Sequence, residues 1–308
     1  MVAAVVPARR PTRTAETGVD RAAPFMKWVG GKGKLLDQLL VHFPDGPLRY
    51  GEAFLGGGAV FFHLASADRL QSAVLTDLSR DVVNVHSCVR DQQTALLREL
   101  ARHEAAYLQA DADGRAAYFY AMRARQPGLV AMTAVERAAR MLFLNRTCFN
   151  GLWRENSRGE FNSPHGRYSQ PGIVQEAKIT AASAALQQAT VLRADFREWP
   201  QLVRTHGLDF VYLDPPYHPL NPTSSFNAYS GGSFTARAQA ELAEVCAELD
   251  AMDVRWVLSN SDCPLIRSLY GRWQIATLQA PRAINVRADR RGAVAEVVVS
   301  NRRPGLRW

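Results

Sequence analysis

Two short apolar runs, each stopped by a turn and each followed by a helical stretch, limit the fold of this chain more than any other feature. Arg49 to Phe54 reads as a strand running into Leu55-Gly56-Gly57-Gly58, and Ala59 to Ala65 then reads as a helix. Ala73 to Thr76 reads as a second strand, ended by Asp77 and followed by a helix from about Asp81. Two strand-to-helix steps this close together predict a parallel sheet of the α/β class. From about Arg90 to Leu144 the pattern changes to long Ala, Arg, Leu and Tyr helices with no strand signal, and residues 145–172 form a loop rich in Asn, Gly, Ser and Pro. Strand patterns return at Thr190–Arg193, Asp209–Leu213, Arg255–Leu258 and Ala293–Ser300. A mostly helical insertion therefore interrupts one α/β domain. Residues 1–23, rich in Arg, Ala, Thr and Pro without an apolar period, read as a flexible arm, with order starting at Pro24.

The 308 residues are 47% hydrophobic and 21% charged, which excludes a chain disordered throughout, a collagen and a disulfide scaffold. Nothing approaches the apolar run of a membrane helix, and the start MVAAVVPARR lacks the basic and long apolar regions of a signal peptide. The expectation is a soluble, cytoplasmic protein. Cys88, Cys148, Cys246 and Cys263 form no CxxC pair and have no His at zinc spacing, so buried free thiols are expected and no structural metal. Lys and Arg number 37 against 29 Asp and Glu, a net charge of +8. Only four of the 37 are lysines, yet Lys27, Lys32 and Lys34 fall together. The basic excess sits at the two ends of the chain, which suits either solvated tails or a phosphate-binding stripe.

Three segments carry chemistry. In Glu52-Ala-Phe-Leu-Gly-Gly-Gly-Ala-Val-Phe61, glycines let the backbone approach a ligand and the helix start offers free N–H groups. Asp77, at the next strand end, is placed to accept hydrogen bonds from ribose hydroxyls. Alone, this segment also fits an ordinary tight turn, and Phe61 departs from the dehydrogenase fingerprint, which wants glycine there. The segment Phe25-Met-Lys-Trp-Val-Gly-Gly-Lys-Gly-Lys34 has neither phosphate-loop spacing, because Met26 and Trp28 stand where the first glycine would be needed. It remains a glycine loop with an aromatic and three cations, suited to a flat ring and a carboxylate or phosphate, or else a basic surface loop. The third segment is Asp209-Phe-Val-Tyr-Leu-Asp-Pro-Pro-Tyr217. Asp214 can accept from an exocyclic amine and the Pro215 carbonyl can accept its other hydrogen. Pro215 and Pro216 restrict the turn, and Tyr217 offers a face for a planar base.

These segments, together with the loop Leu144–Pro164, resemble in order and type the Dam-type (D12 class, alpha order) family of adenine-N6 DNA methyltransferases, from about Pro24 to Ser300. The resemblance implies an α/β fold with a seven-stranded mixed sheet of the Rossmann-like methyltransferase type and an inserted, mainly helical DNA-recognition domain. Residues 24–89 and 170–308 would make the catalytic domain and residues 90–169 the target-recognition domain. It implies S-adenosyl-L-methionine as cofactor, with Trp28, Lys32, Phe54, Gly56, Gly58, Asp77 and Asp214 matching the binding positions and Asp195 matching a contact to the cofactor's adenine ring. The reaction would be direct transfer to N6 of an adenine flipped out of double-stranded DNA, with Asp214, Pro215, Pro216 and Tyr217 as the catalytic turn.

The loop from Asn145 to Pro164 holds four of the ten asparagines, and its Gly-Glu-Phe-Asn turn suits a β-hairpin that could enter a major groove. Phe149, Asn150, Leu152, Arg154 and Pro164, with Lys27, match family positions that contact bases or fill the space left by the flipped adenine. Arg146 and Asn156 join them as DNA-binding candidates. The match suggests GATC as the target, and the basic segment Arg282–Arg287 is expected to support phosphate contacts. The sequence leaves open a solitary role or pairing with a cognate restriction endonuclease. Two other readings use the same segments: an amino methyltransferase of RNA or protein glutamine, and a DNA-binding relative without catalysis.

Overall fold

Phe210, Val211, Tyr212 and Leu213 are buried at every position, the pattern of a strand covered on both faces. They lie near the middle of a seven-stranded sheet made of β1 (Leu48–Glu52), β2 (Leu70–Asp77), β3 (Ala189–Arg193), β4 (Phe210–Leu213), β5 (Arg255–Ser261), β6 (Gln274–Leu278) and β7 (Glu296–Ser300), in the order β3-β2-β1-β4-β5-β7-β6. The pairings among β1 to β5 are parallel, and β7 runs antiparallel to both β5 and β6. The computed structural model describes residues 21–126, 128, 130–156, 158–219, 234–278 and 296–302. Most of the arm expected over residues 1–23, and the whole of Arg282–Arg287, lie outside these described residues.

The strand order reverses between β1 and β4, since β2 and β3 continue to one side and β5 to the other. In open parallel sheets that reversal leaves a crevice outside the C-terminal strand ends, where ligands bind. The two segments with the clearest chemistry, Glu52–Phe61 and Asp214–Tyr217, leave the sheet from β1 and β4 at that point. Strand β6 was not expected from sequence. Its five residues include only one that is buried, Leu278, so it carries no clear apolar alternation and is held by its pairing with β7.

The helices are α1 (Leu36–Leu40), α2 (Ala59–Ser66), α3 (Arg80–Asp91), α4 (Gln93–Gln109), α5 (Ala112–Ala124), α6 (Ala134–Thr147), α7 (Glu176–Leu186), α8 (Trp199–His206), α9 (Ala236–Ala251) and α10 (Pro264–Leu269). Several starts are written locally. Ser79, Asp111 and Thr235 each cap a helix with a side-chain oxygen, and Thr133 with Glu136 forms a reciprocal capping box on α6. The helical insertion, α4 to α6, occupies the crossover from β2 to β3.

Strand β4 divides the core by its period of two. Phe210 and Tyr212 belong to an apolar cluster that also contains Tyr50 and Phe61 and continues into Leu100, Tyr107, Phe119 and Phe143 of the inserted helices. Val211 and Leu213 face the opposite layer, with Leu242 of α9 and Trp256 of β5. Burial of each such side chain contributes about 1.5–3 kcal/mol, so the insertion is anchored to one face of the sheet. The four cysteines are buried free thiols. Among the described residues no helix is long and apolar enough to cross a membrane, and no His, Cys, Asp and Glu group is arranged to hold a metal.

Candidate active site

The glycine turn after β1 has two left-handed residues, Gly56 at φ 47° and Gly58 at φ 67°, a conformation that side chains disfavour. Close packing reinforces the requirement: a Cβ on Gly56 would lie 2.5 Å from the Trp28 indole nitrogen. The Trp28 ring therefore lies directly on the glycine turn. Asp77, at the end of β2, accepts the Gly56 N–H at 3.0 Å and the Ser79 N–H at 2.8 Å. Burial pushes its carboxyl up, and those backbone donors pull against the shift. Asp77 thus braces the glycine turn, a task beyond the ribose contact expected of it. Leu78, the next residue, leaves 59% of its surface exposed, an apolar face beside the crevice for which the sequence offered no signal.

Beneath the turn, Glu52 is a buried acid to which the sequence assigns no role. It accepts the Tyr50 hydroxyl at 2.9 Å and the Phe61 N–H at 3.2 Å. Burial raises its carboxyl to about 8, against the pull of the Tyr50 bond, with nearby Asp214 adding to the rise. An acidic residue inside the apolar run Tyr50–Phe54 was the available clue.

Asp214 leaves β4 facing this turn. The Lys32 ammonium lies 2.7 Å from its Oδ1, and Lys32 is only 5% exposed. The same ammonium donates to the Gly30 carbonyl at 2.9 Å and stands 4.8 Å above the Tyr217 ring. Lys32 is expected at the cofactor, and its described contacts are those of a local charge network. Burial raises the Asp214 carboxyl and Lys32 lowers it. The Tyr217 hydroxyl donates to Glu296 on β7 at 2.7 Å, which fixes the ring. Pro215 is buried between Asp214 and Pro216.

Phe54 stacks on Phe196 at 6.0 Å and meets Phe234 edge-on, forming an aromatic wall over the ends of β1 and β3. Asp195 does stand at the end of β3, but its carboxylate is held by Arg197 through Nη1 bonds of 2.8 and 2.9 Å and caps the short turn that follows. An adenine amino group would have to exchange with that partly exposed pair, and such surface pairs are worth ~1 kcal/mol or less.

The Asn-rich loop divides into exposed side chains and internal supports. Phe149 is 54% exposed, while Lys27, Asn150, Arg154 and Pro164 are also exposed and Leu152 is half-buried. Asn150 adopts φ 55°, and its N–H donates to the Tyr168 hydroxyl at 2.8 Å. The stem of Lys27 crosses Gly151, where a Cβ would meet it at 2.1 Å, and its ammonium lies 5.4 Å over the Tyr168 ring. Asn145, counted among the readers by composition, is instead fully buried and binds the Lys27 backbone on both sides at 2.8 Å.

Asn156 is also a support. Its Oδ1 accepts the N–H groups of Arg158 and Glu160, and its Nδ2 donates to Glu160. Asn156 and Glu160 consequently close the hairpin, ahead of the Gly-Glu-Phe-Asn turn expected. Its arms pair at Glu155 and Phe161, and Trp153 packs on Phe161 at 4.5 Å as a local core. Arg146 is partly buried and spends its Nε on the Gly172 carbonyl at 3.1 Å. Arg154 is tethered to Asn162 at 2.7 Å with its outer edge exposed.

The model of the D12 class N6 adenine-specific DNA methyltransferases matches residues 28–284. Type II methyltransferase M1.LlaDCHI of Lactococcus lactis subsp. cremoris is 34% identical over 282 residues, covering 90% of this chain and 95% of the relative. Type II methyltransferase M.MjaIII of Methanocaldococcus jannaschii is 34% identical over 286 residues, covering 90% and 98%. The DNA adenine methylase of Escherichia coli K12 is 32% identical over 277 residues, covering 89% and 93%. With the glycine turn and the Asp-Pro-Pro-Tyr turn meeting at the sheet's reversal point, and with this extent of similarity, the chain belongs to the D12 class of N6 adenine-specific DNA methyltransferases.

Proposed function

We propose that the chain methylates adenine N6 within duplex GATC, using Asp214, Pro215, Pro216 and Tyr217 as the acceptor site and Lys27, Phe149, Asn150, Leu152, Arg154 and Pro164 as readers. One observation carries the assignment of the reaction centre: the buried Lys32 joins the cation loop to the partly buried acid of the Asp-Pro-Pro-Tyr turn in an ion pair. S-adenosyl-L-methionine supplies the electrophilic methyl group when bound. The fit to that group rests on a glycine turn with left-handed Gly56 and Gly58, the Trp28 and Phe54 faces, and the carboxylate of Asp77 at the next strand end.

Adenine N6 is a weak nucleophile because its lone pair is delocalised into the ring. Asp214 and the Pro215 carbonyl orient its two hydrogens, which favours a more tetrahedral nitrogen. Alignment and preorganised charge supply the catalysis, and no residue need form a bond to substrate. Tyr217, fixed by Glu296, gives the extruded base its stacking face. The exposed Phe149 suits the space the base leaves. Arg146 and Asn156, tied to carbonyl and turn partners, act as supports for the reading surface, and residues 90–169 act as the target-recognition domain around it.

A cytoplasmic, DNA-associated location follows from this substrate. Two relatives are Type II methyltransferases and a third is a DNA adenine methylase, so the proposal covers both pairing with a cognate restriction endonuclease and a solitary role. Methylation-sensitive sequencing of DNA from cells expressing the chain tests the target: methyladenine confined to GATC supports it, and any other motif overturns it. Duplex DNA, RNA and protein substrates offered side by side test the acceptor class.

A further inference from the structure

The catalytic turn has an unusual handicap: Pro215 and Pro216 have no N–H, so two successive positions cannot be tied to the sheet by backbone donors. Its position must be set through carbonyls and through the residues that follow. A buried chain of side chains meets this need. Gln239 of α9 donates from Nε2 to the Pro216 carbonyl at 3.0 Å. Its Oε1 accepts from Asn260 Nδ2, also at 3.0 Å. Asn260 Oδ1 accepts the His218 N–H at 3.2 Å and the Ser261 N–H at 2.9 Å. The Ser261 hydroxyl donates to the His218 carbonyl at 2.7 Å. Gln239 and Asn260 are fully buried and Ser261 is 2% exposed. None of these residues contacts Lys32, the glycine turn or the reading loop in the hydrogen bonds described.

We infer that Gln239 and Asn260, completed by Ser261, are positioning residues that clamp the Asp-Pro-Pro-Tyr turn from behind and set where Asp214 and the Pro215 carbonyl meet the target amine. The inference rests on the methyl-transfer reading of that turn. Two amides in series are directional: each presents a donor on one side and an acceptor on the other, and a satisfied network of this kind specifies one geometry. Buried polar groups left without a partner cost more than the bond contributed, so the clamp is sensitive to single changes. Its effect belongs to kcat rather than to ligand affinity, because it fixes reacting groups and touches neither substrate.

The test is steady-state methylation of duplex DNA by wild type, Gln239→Met, Gln239→Glu and Ser261→Ala, with folding checked by circular dichroism. Gln239→Met should lower kcat ~30-fold while KM for cofactor and for DNA stays within about threefold, the signature of misplaced groups. Gln239→Glu should recover relative to wild type as pH falls, because a protonated carboxyl can again donate to Pro216 and accept from Asn260. A folded Gln239→Met with unchanged kcat, or a Gln239→Glu ratio to wild type that is flat with pH, overturns the inference. Should Gln239→Met fail to fold, Ser261→Ala decides: a kcat about fivefold lower supports the clamp, and an unchanged one overturns it. Absence of methyl transfer by wild type in the same assay would refute the activity itself, a separate result.

Discussion

The buried acid under the glycine turn makes a quantitative prediction. Glu52 has an ordinary carboxyl value of 4.5 in the unfolded chain and about 8 in the folded protein, chiefly through burial. A carboxyl raised on folding binds its proton more tightly in the native state, so its contribution to stability is complete below pH 4.5 and is lost as pH rises through about 8. At about 1.4 kcal/mol per decade, the loss between pH 5.5 and pH 8.5 is about 3 kcal/mol. Glu52→Gln keeps an acceptor for Tyr50 and Phe61 but cannot ionise. Urea unfolding of both proteins at pH 5.5, 7 and 8.5 should show the variant gaining on wild type by about 3 kcal/mol across the series. His86, which burial lowers to about 4, changes both proteins equally and cancels. Two stability curves that stay parallel from pH 5.5 to 8.5 would refute the claim that Glu52 is held protonated.

Three further outcomes follow from the site. Gly56→Ala puts a Cβ into the Trp28 indole at a left-handed position; cofactor affinity measured by calorimetry should fall at least tenfold, with a stability loss of about 1–3 kcal/mol. Lys32→Met removes the charge that lowers the Asp214 carboxyl, so the rising acid-side limb of the pH–rate profile should move to higher pH; an unmoved limb would contradict the ion pair's role. Phe149→Ala should reduce the fluorescence rise of 2-aminopurine placed at the target adenine, while leaving cofactor binding unchanged, because the exposed ring has no contact with the glycine turn.

The parts of this molecule that were legible in sequence are those whose physics is local. The glycine turn, the Asp-Pro-Pro-Tyr turn and six of the seven strands each announce themselves within about ten residues, through periodicity or through residues with restricted backbone angles. The active-site wiring was not legible, because it joins segments far apart in the chain. Glu52 could be seen as an acid in an apolar run, but its Tyr50 and Phe61 partners depend on the strand's pleat and on where α2 begins. Composition also misled in a specific way. Asparagine suits base edges and tight turns alike, so the count over the loop could not separate exposed Asn150 from Asn145 and Asn156, which hold the loop together. No local signal marks Gln239 or Asn260, and only the fold brings them behind the catalytic turn.

Methyl transfer to adenine N6 depends on Asp214. Labelled S-adenosyl-L-methionine incubated with a GATC duplex and wild type should leave tritium on adenine N6, whereas folded Asp214→Ala should transfer at least ~10³-fold more slowly. Near-full transfer by folded Asp214→Ala would contradict the assignment of the Asp-Pro-Pro-Tyr turn as the reaction centre.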